Sequence, residues 1–465
     1  MKKQSEKTEK IISQFNKQEI FRIKKFLNSP YFNQREDVKA LFEIIVSEPE
    51  ITQMETFARL FPGDSYDNQK LRLVRSYLFR LIEKYLLIRE FSEDELAASY
   101  YLTKAYRKRG LTDAFKKSYE KALHNLDNQP DRNARYYEYA YHLQWERHLL
   151  ASADSPSEAN NLLEMSDTID LSYLSLKLRN ICLLAAHQSV YNATLQPQLA
   201  DEVLQHVQKS DLLNIPAVSI YYYGYRMFEK KTAEDYFKKF KLLVLQNGAL
   251  FPRDEIRDLY LMAINYCVRQ LNDGDEFYFR EAFELYKEGL ENEYLLENGV
   301  LSRFAYHNVV AIGLKIGEFN WVAFFIQRYK NALERKYRDS SFSFNTARLE
   351  LSRKNYGAVL ELLQKANYRD LLLNLTAKTL LLKTYYELGE TNLLYAHLDA
   401  MNNYIRRKGI IGYHKTNFQN IVRYTRKLAN TNPYDKVEKS SLAKMIEKEE
   451  VLTEKKWLLS MIEMG

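Results

Sequence analysis

The sequence predicts an all-α protein, because three of its features favour helices over strands. Only 14 of the 465 residues are glycine and 9 are proline, less than half the usual share of turn-forming residues. No proline lies between Pro252 and Pro433. Capping residues recur with a glutamate three positions later, and apolar residues recur at helical spacing. We therefore expect helices joined by short turns.

Individual helix ends are marked by capping pairs and by glycines. A capping side chain and a glutamate three residues on satisfy free backbone N–H groups of the first turn, and the pairs are Asn16 with Glu19, Thr52 with Glu55, Ser92 with Glu95, and Ser155 with Glu158. A glycine after the last turn adopts the left-handed conformation that ends many helices. The predicted ends of this kind are Gly110, Gly248, Gly289 and Gly409.

The pattern divides the chain into four segments. We predict an N-terminal helical cap domain at 1–91, helical hairpins at 92–300, clearer hairpin repeats at 301–434, and a polar-faced capping helix at 435–465. Within the first segment the predicted helices lie near 17–28, 35–47, 53–60 and 67–90. The last of these needs a neighbour to cover one apolar side, formed by Leu71, Val74, Leu78, Leu81, Ile82, Tyr85 and Ile88.

A repeat of about 36 residues is visible in the third segment. Gly317 and Gly389 are 72 positions apart, and a turn at 354–356 lies near the midpoint. The hairpin around this turn has a small residue, an aromatic residue at the turn, a large residue and a second small residue, which are Ala347, Tyr356, Leu363 and Ala366. In this pattern the chain resembles the tetratricopeptide repeat family, with two helices in about 34 residues, in the degenerate form of some bacterial proteins. The family's closing proline and hairpin tryptophan are absent. The resemblance implies an α-α superhelix, or solenoid, whose inner groove binds a peptide or protein segment.

Motifs for catalysis and for cofactors are absent, so we expect no enzyme activity and no cofactor. Neither G-x-x-x-x-G-K-[ST] nor G-x-G-x-x-G occurs, which excludes the commonest phosphate-binding loops. The one candidate for metal ligands is Glu138 with His142, near His148, and it has no second ligand pair, so we expect no metal site. Cys182 and Cys267 are interpreted as buried thiols, and NDGDE at 272–276 as a turn between helices.

The segment 400–434 contains no acidic residue and seven basic ones, interleaved with aromatic residues. Such a composition suits phosphate contacts and base stacking, or an acidic peptide. The candidate binding residues are Arg406, Arg407, Lys408, Lys415, Arg423, Arg426, Lys427, Tyr404, Tyr413 and Tyr424.

A structural interpretation of the same segment competes with binding. The first three cations lie in the last turn of a helix ended by Gly409, where positive charge is favoured by the helix dipole. In the next helix a buried stripe is predicted, and the cations would occupy its solvated opposite face. That stripe consists of Phe418, Ile421, Val422, Thr425, Leu428 and Ala429.

Two functions remain open at this point. The first is a protein–protein interaction scaffold or adaptor that uses a helical-repeat groove to bind another protein or peptide segment. The second is a nucleic-acid-binding protein that binds RNA or DNA through the basic segment 400–434, or a regulatory protein if the N-terminal segment 1–91 contains a helix-turn-helix. No stretch approaches the roughly 18 uncharged apolar residues of a membrane span, and the lysine-containing N-terminus has no apolar run. We therefore expect a cytoplasmic location and no membrane partner, and the oligomeric state is left open.

Overall fold

The computed structural model describes residues 5–154, 161–191, 197–229, 233–365, 368, 370–408 and 412–464. In these ranges the chain is all-α, as predicted, apart from one pair of two-residue antiparallel strands, β1 (Leu296–Glu297) and β2 (Val300–Leu301). The α-helices are α1 (Ser5–Ile12), α2 (Lys17–Asn28), α3 (Glu36–Ser47), α4 (Gln53–Leu60), α5 (Asn68–Glu93), α6 (Glu95–Lys108), α7 (Thr112–Asp127), α8 (Ala134–Asp154), α9 (Leu162–Tyr191), α10 (Ala200–Lys209), α11 (Pro216–Arg226), α12 (Ala233–Asn247), α13 (Arg253–Asn272), α14 (Tyr278–Glu291), α15 (Arg303–Lys315), α16 (Phe319–Tyr329), α17 (Arg338–Ser352), α18 (Tyr356–Lys365), α19 (Leu371–Glu387), α20 (Thr391–Arg407), α21 (Gly412–Asn430), α22 (Lys436–Lys448) and α23 (Lys455–Met464).

The chain forms two compact units. The first consists of Met1–Leu183 with Leu195–Tyr222, and the second of Leu184–Thr194 with Tyr223–Gly465. The division predicted at residues 91, 300 and 434 stays a prediction. The residues predicted as one C-terminal helix form two, α22 and α23, because the chain turns between them and Glu454 adopts a positive φ of 56°.

The N-terminal helices begin and end close to the predicted positions. Helices α2 to α5 correspond to the four predicted stretches, and both capping boxes, at Asn16 and at Thr52, are formed. The predicted apolar side of α5 is largely covered, although Leu81 is half-buried and Ile88 is exposed. The core of these helices is formed by Ile12, Ile23, Leu27, Val38, Leu41, Phe42, Ile45, Val74, Leu78, Ile82 and Tyr85.

Four of the predicted helix ends are wrong or lie outside the described residues. The cap predicted at Ser92 is wrong, because α5 continues to Glu93 and the Asp94 carboxylate accepts from Ala97 N (3.1 Å) instead. The stop predicted at Gly289 is also wrong: this buried glycine lies inside α14, where a Cβ would approach Leu295 and Tyr260 to 3.0 Å. The pair Ser155 and Glu158, the stop Gly409 and the repeat residue Ala366 lie outside the described residues.

One turn geometry recurs at four of the joints between helices. A residue with positive φ follows the first helix, the next residue donates its N–H to the carbonyl five positions back, and the second helix starts directly afterwards. This is the Schellman arrangement, which satisfies carbonyls at a helix end. The positive-φ residues are Gly110, Gly317, Lys354 and Gly389.

Lys354 is the member of this series that is not glycine, and it predicts a stabilising substitution. Its φ is +58°, a conformation that costs an L-residue about 1 to 2 kcal/mol. We expect Lys354→Gly to raise the free energy of unfolding by about 1 kcal/mol. Among the variants, the free energy of unfolding should decrease in the order Lys354→Gly, Lys354→Asn, Lys354→Ala and Lys354→Val. Urea unfolding measures the order. The Lys354 side chain is exposed, so its truncation to alanine removes only solvated atoms. Equal stability of Lys354→Gly and Lys354→Ala would therefore contradict the left-handed conformation.

Candidate binding groove

A groove follows the first helices of three successive hairpins in the second unit. The hairpins are α15 with α16, α17 with α18, and α19 with α20, and within this series α15 contacts α17 and α17 contacts α19. A cavity of about 750 Å³ opens along the three first helices. Each of them lines it with residues three or four positions apart, which is the spacing of one helix face. The groove therefore depends on how the hairpins stack.

Buried tyrosines and a glycine hold the first hairpin in place behind the groove. The Tyr306 hydroxyl donates to the Ile326 carbonyl (2.8 Å), and the Tyr329 hydroxyl donates to the Leu290 carbonyl (3.0 Å). Gly313, on the buried side of α15, leaves room for Val322 of α16. These contacts join α14, α15 and α16, so the opposite side of α15 faces the groove.

Cations outnumber anions in the lining. Among the described residues of the lining the cations are Arg303, Lys315, Arg348 and Lys383, and the anions are Asp370 and Glu454. Arg303 pairs with Asp370 at 3.3 Å, and Lys383 pairs with Glu454 at 2.7 Å. Lys315 lies 3.7 Å from Glu276, outside the lining. The groove therefore carries a net positive charge.

Arg348 is the cation of the lining without a carboxylate partner among the described residues. Its Nη1 donates to the His307 carbonyl at 3.3 Å, and its guanidinium lies 5.7 Å from the Phe344 ring centroid. Burial lowers the pKa of Arg348, and Glu454 acts in the opposite direction from a distance. A half-buried guanidinium with spare donors is a ready site for a carboxylate.

His307 stands beside Arg348 as a neutral ring. Burial is the main cause that lowers its pKa to about 4, and the charges of Arg348 and Arg303 act in the same direction. Asn345 Nδ2 donates to Nδ1 at 2.9 Å, and Nε2 lies 3.4 Å from Ser341 Oγ. At neutral pH the ring is therefore a polar but uncharged part of the groove wall.

Apolar residues give the groove a second character. Phe304 and Leu372 are large exposed side chains of the lining, and Phe344 is buried below them. A ligand with both carboxylates and apolar side chains would find partners for each.

The turn between α22 and α23 closes one end of the groove. Thr453 N donates to Asn417 Oδ1 (2.5 Å), and Asn420 Nδ2 donates to the Val451 carbonyl (2.9 Å). These bonds hold the turn against α21, which places Glu454 next to Lys383. A carboxylate of the chain itself therefore occupies this end.

The basic residues predicted from the sequence lie elsewhere, on α20 and α21. Arg406, Arg407, Lys408 and Lys415 are exposed, and none of the described carboxylates lies within 4 Å of them. Arg423 pairs with Glu449 at 2.6 Å, Arg426 pairs with Asp399 at 2.5 Å, and Lys427 Nζ lies 3.8 Å from Met445 Sδ. Two of the seven cations are thus neutralised within the chain.

The aromatic residues of this segment differ in exposure. Tyr424 is buried, and its hydroxyl donates to Glu449 (3.0 Å). Tyr404 is half-buried with Lys378 over its ring, and Tyr413 is exposed. The predicted stripe of α21 is confirmed, with Ala429 half-buried and the other five residues buried. That the ten residues bind a partner stays a prediction.

The groove residues were missed in the sequence because their spacing is that of any solvated helix face. Four positions separate Arg303 from His307, and eight separate His307 from Lys315. Residues on any exposed face of an amphipathic helix have this spacing. The one usable signal was the repeat itself, since it predicts that first helices lie side by side.

The candidate metal and thiol residues have structural surroundings. His142 Nε2 lies 3.8 Å from Glu138 Oε1, and its ring stacks on Tyr100. In the described part of the chain, no three His, Cys, Asp or Glu residues converge as metal ligands do. Cys182 and Cys267 are buried and form no disulfide, as expected, and burial raises the pKa of both thiols. Residues 272–276 form the predicted turn, with Gly274 at a φ of +97°.

No protein-family model, curated protein or solved structure matches the chain. Among the described helices, none combines the length and the apolar composition that crossing a bilayer requires.

Proposed function

We propose that this chain is a non-enzymatic scaffold and that the groove along α15, α17 and α19 binds a segment of another protein. The observation that carries the proposal is the shared lining, in which three successive hairpins present one side of their first helices to the same cavity. A concave surface of apolar side chains with a few converging polar groups is the usual form of a binding site. The cytoplasmic location stays a prediction from the sequence.

A tetratricopeptide-like superhelix is the proposed arrangement behind the groove. Its support is the repeated turn, which places positive-φ residues at 317, 354 and 389, close to the period of about 34 residues in that family. The contacts between consecutive first helices are a second support. In repeat proteins each unit contacts its neighbours and the stack forms an extended concave surface.

The lining favours a partner segment that carries carboxylates and apolar side chains. Arg348 has donors to spare, and Lys383 already holds a carboxylate, that of Glu454. Arginine pairs with carboxylates through two parallel hydrogen bonds, which gives both affinity and orientation. We therefore propose that an acidic segment pairs with Arg348 and competes with Glu454 for Lys383.

Selection of displayed peptides against the full chain tests the proposal. Peptides of about 12 residues span about 40 Å when extended, enough to follow the groove. We expect the selected peptides to be acidic and apolar, and to bind wild-type protein at least about tenfold more tightly than Arg348→Gln, since a hydrogen bond to a charged group contributes about 1.5 to 3 kcal/mol. Fluorescence anisotropy of a labelled peptide measures the affinities.

Two further variants serve as controls for this experiment. Arg353→Gln removes an exposed arginine that follows α17, pairs with Glu350 at 3.1 Å and lies outside the lining, so it should leave binding unchanged. Glu454→Gln should tighten binding a few fold, because it releases Lys383. Selection of no peptide, or equal losses in Arg348→Gln and Arg353→Gln, would show that the groove is not the binding site.

Binding of RNA or DNA by the segment 400–434 is the second candidate function. The observation in its favour is that four cations of the segment are exposed without described carboxylate partners and that the Tyr413 ring is exposed too. Such a surface predicts strongly salt-dependent binding. If a single-stranded RNA probe and a DNA probe both fail to bind at low salt, this candidate is removed.

A further inference from the structure

Helix α9 is apolar on two sides, and only one of them is covered. Its inner side is buried and includes Met165, Leu174, Leu178 and Ile181. On its outer side Leu162, Ile169, Leu176 and Leu183 are exposed by 56, 44, 50 and 38%. All eight belong to the first unit. A helix that is apolar on two sides is ordinarily enclosed by protein, so the outer side of α9 lacks a partner among the described residues.

The exposed side has the spacing of a coiled-coil seam. Its four large apolar residues are seven positions apart, and Ser166, Tyr173 and Asn180 are exposed between them, in alternating steps of three and four. Coiled coils have this 3.5-residue period, with the two inward positions called a and d. In α9 position d is apolar throughout, whereas position a holds Ser166, Tyr173 and Asn180. We name these seven residues the α9 seam. It runs for about 32 Å along the helix.

Charged residues beside the seam are complementary to those of a second copy. Asp170 and Lys177 both occupy the flanking position called e, directly after Ile169 and Leu176. In an antiparallel pair, e positions of the two helices face each other. An arrangement centred between residues 174 and 175 places Tyr173 of each copy opposite Leu176 of the other. It brings Asp170 of each copy next to Lys177 of the other, about 3 Å along the helix axis from the directly opposite position.

Other registers lose this complementarity. A shift by one heptad in one direction brings Asp170 of one copy next to Asp170 of the other. A shift in the opposite direction brings the two Lys177 side chains together, and like charges at that distance repel. A parallel pair would place Met165 beside Asp170 and Ser172 beside Lys177, so it forms no such ion pair. The charges therefore select one antiparallel register.

We infer that two copies of this chain associate through the α9 seam, with the helices antiparallel and Asp170 of each paired with Lys177 of the other. The inference does not depend on the function proposed for the groove.

Sedimentation velocity of the full chain, from about 1 to 100 µM protein, tests the association. We expect a concentration-dependent dimer. Asp170→Lys and Lys177→Asp should each weaken dimerisation at least about tenfold, because each creates two like-charged pairs, and the double swap should restore it. These side chains are exposed and half-buried, respectively, so circular dichroism should show unchanged helix content. A monomer at every concentration, or a dimer indifferent to the single swaps, would overturn the inference.

Cysteine cross-linking tests the register. The variant carrying both Tyr173→Cys and Leu176→Cys should form an intermolecular disulfide under mild oxidation, because these positions face each other across the antiparallel pair at a separation that a disulfide can bridge. Tyr173→Cys alone should cross-link much more slowly. Equal rates for the single and double variants would contradict the antiparallel register. The native thiols at 182 and 267 are buried and should not compete.

Discussion

Replacement of Gly313 by alanine is expected to destabilise the second unit by about 2 kcal/mol, although alanine is the better helix former. A Cβ at this position would overlap Val322 Cγ2 and lie 3.4 Å from Phe283 Cε2. Both neighbours belong to a packed interior, where added methyl groups cost about 1 to 3 kcal/mol. Urea unfolding followed by the fluorescence of Trp321, which contacts Phe283, measures the change.

A matched glycine and a second-site variant separate the causes. At Gly357, in α18, a Cβ would have no atom within 4 Å, and φ is not positive. Gly357→Ala should therefore raise the free energy of unfolding by about 0.5 kcal/mol. In a Val322→Ala background the cost of Gly313→Ala should disappear, because the overlapping methyl group is gone. If Gly313→Ala costs the same in both backgrounds, the close approach of α15 and α16 is not the cause.

Acidification is expected to weaken the second unit through His307, by up to about 3 kcal/mol between pH 6.5 and pH 4. The pKa of this histidine is about 4 in the folded chain, against an ordinary value of 6.5. Above pH 6.5 the ring is neutral in both states and contributes no difference. As the pH falls through this window, the unfolded chain takes up a proton that the folded chain refuses, so the free energy of unfolding decreases.

The difference between wild type and His307→Gln isolates this contribution. Urea unfolding at pH 7 and at pH 4.5 should show a smaller acid loss in the variant than in the wild type. Burial also lowers the pKa of His397. The part of the acid-induced loss of stability that comes from His397 should be the same in wild type and in His307→Gln. His414→Gln, at an exposed position on α21, should behave as wild type. Equal acid losses in wild type and His307→Gln would mean that the ring is solvated in the folded chain.

Local features of the sequence predicted local structure well. The bounds predicted for α2 and α4 are the observed ones, and the capping boxes at Asn16 and Thr52 are formed. These features depend on hydrogen bonds between residues three or four positions apart, which the sequence displays directly. The error at Ser92 has the same local origin, because Asp94 is an equally suitable cap two residues later.

The role of a glycine cannot be predicted from its neighbours in the sequence. Gly110, Gly317 and Gly389 have the positive φ of a helix end, whereas Gly289 and Gly313 lie inside helices and leave room for a neighbouring element. The residue type is the same in both groups. Only the approach of Leu295 and Tyr260 to Gly289, or of Val322 to Gly313, distinguishes them.

The amino-acid pattern was enough to predict that the chain is helical, where many helices begin and end, and that hairpins recur around residues 317, 354 and 389. Each of these depends on side chains a few positions apart. Three features emerged only from the packing of the helices: which polar faces converge on the groove, that Arg348 has no carboxylate partner among the described residues whereas Arg423 and Arg426 have one, and that one side of α9 is exposed. The physical reason is that a helix face shows which residues are polar or apolar, while their partners come from segments distant in sequence, whose positions depend on how the helices pack.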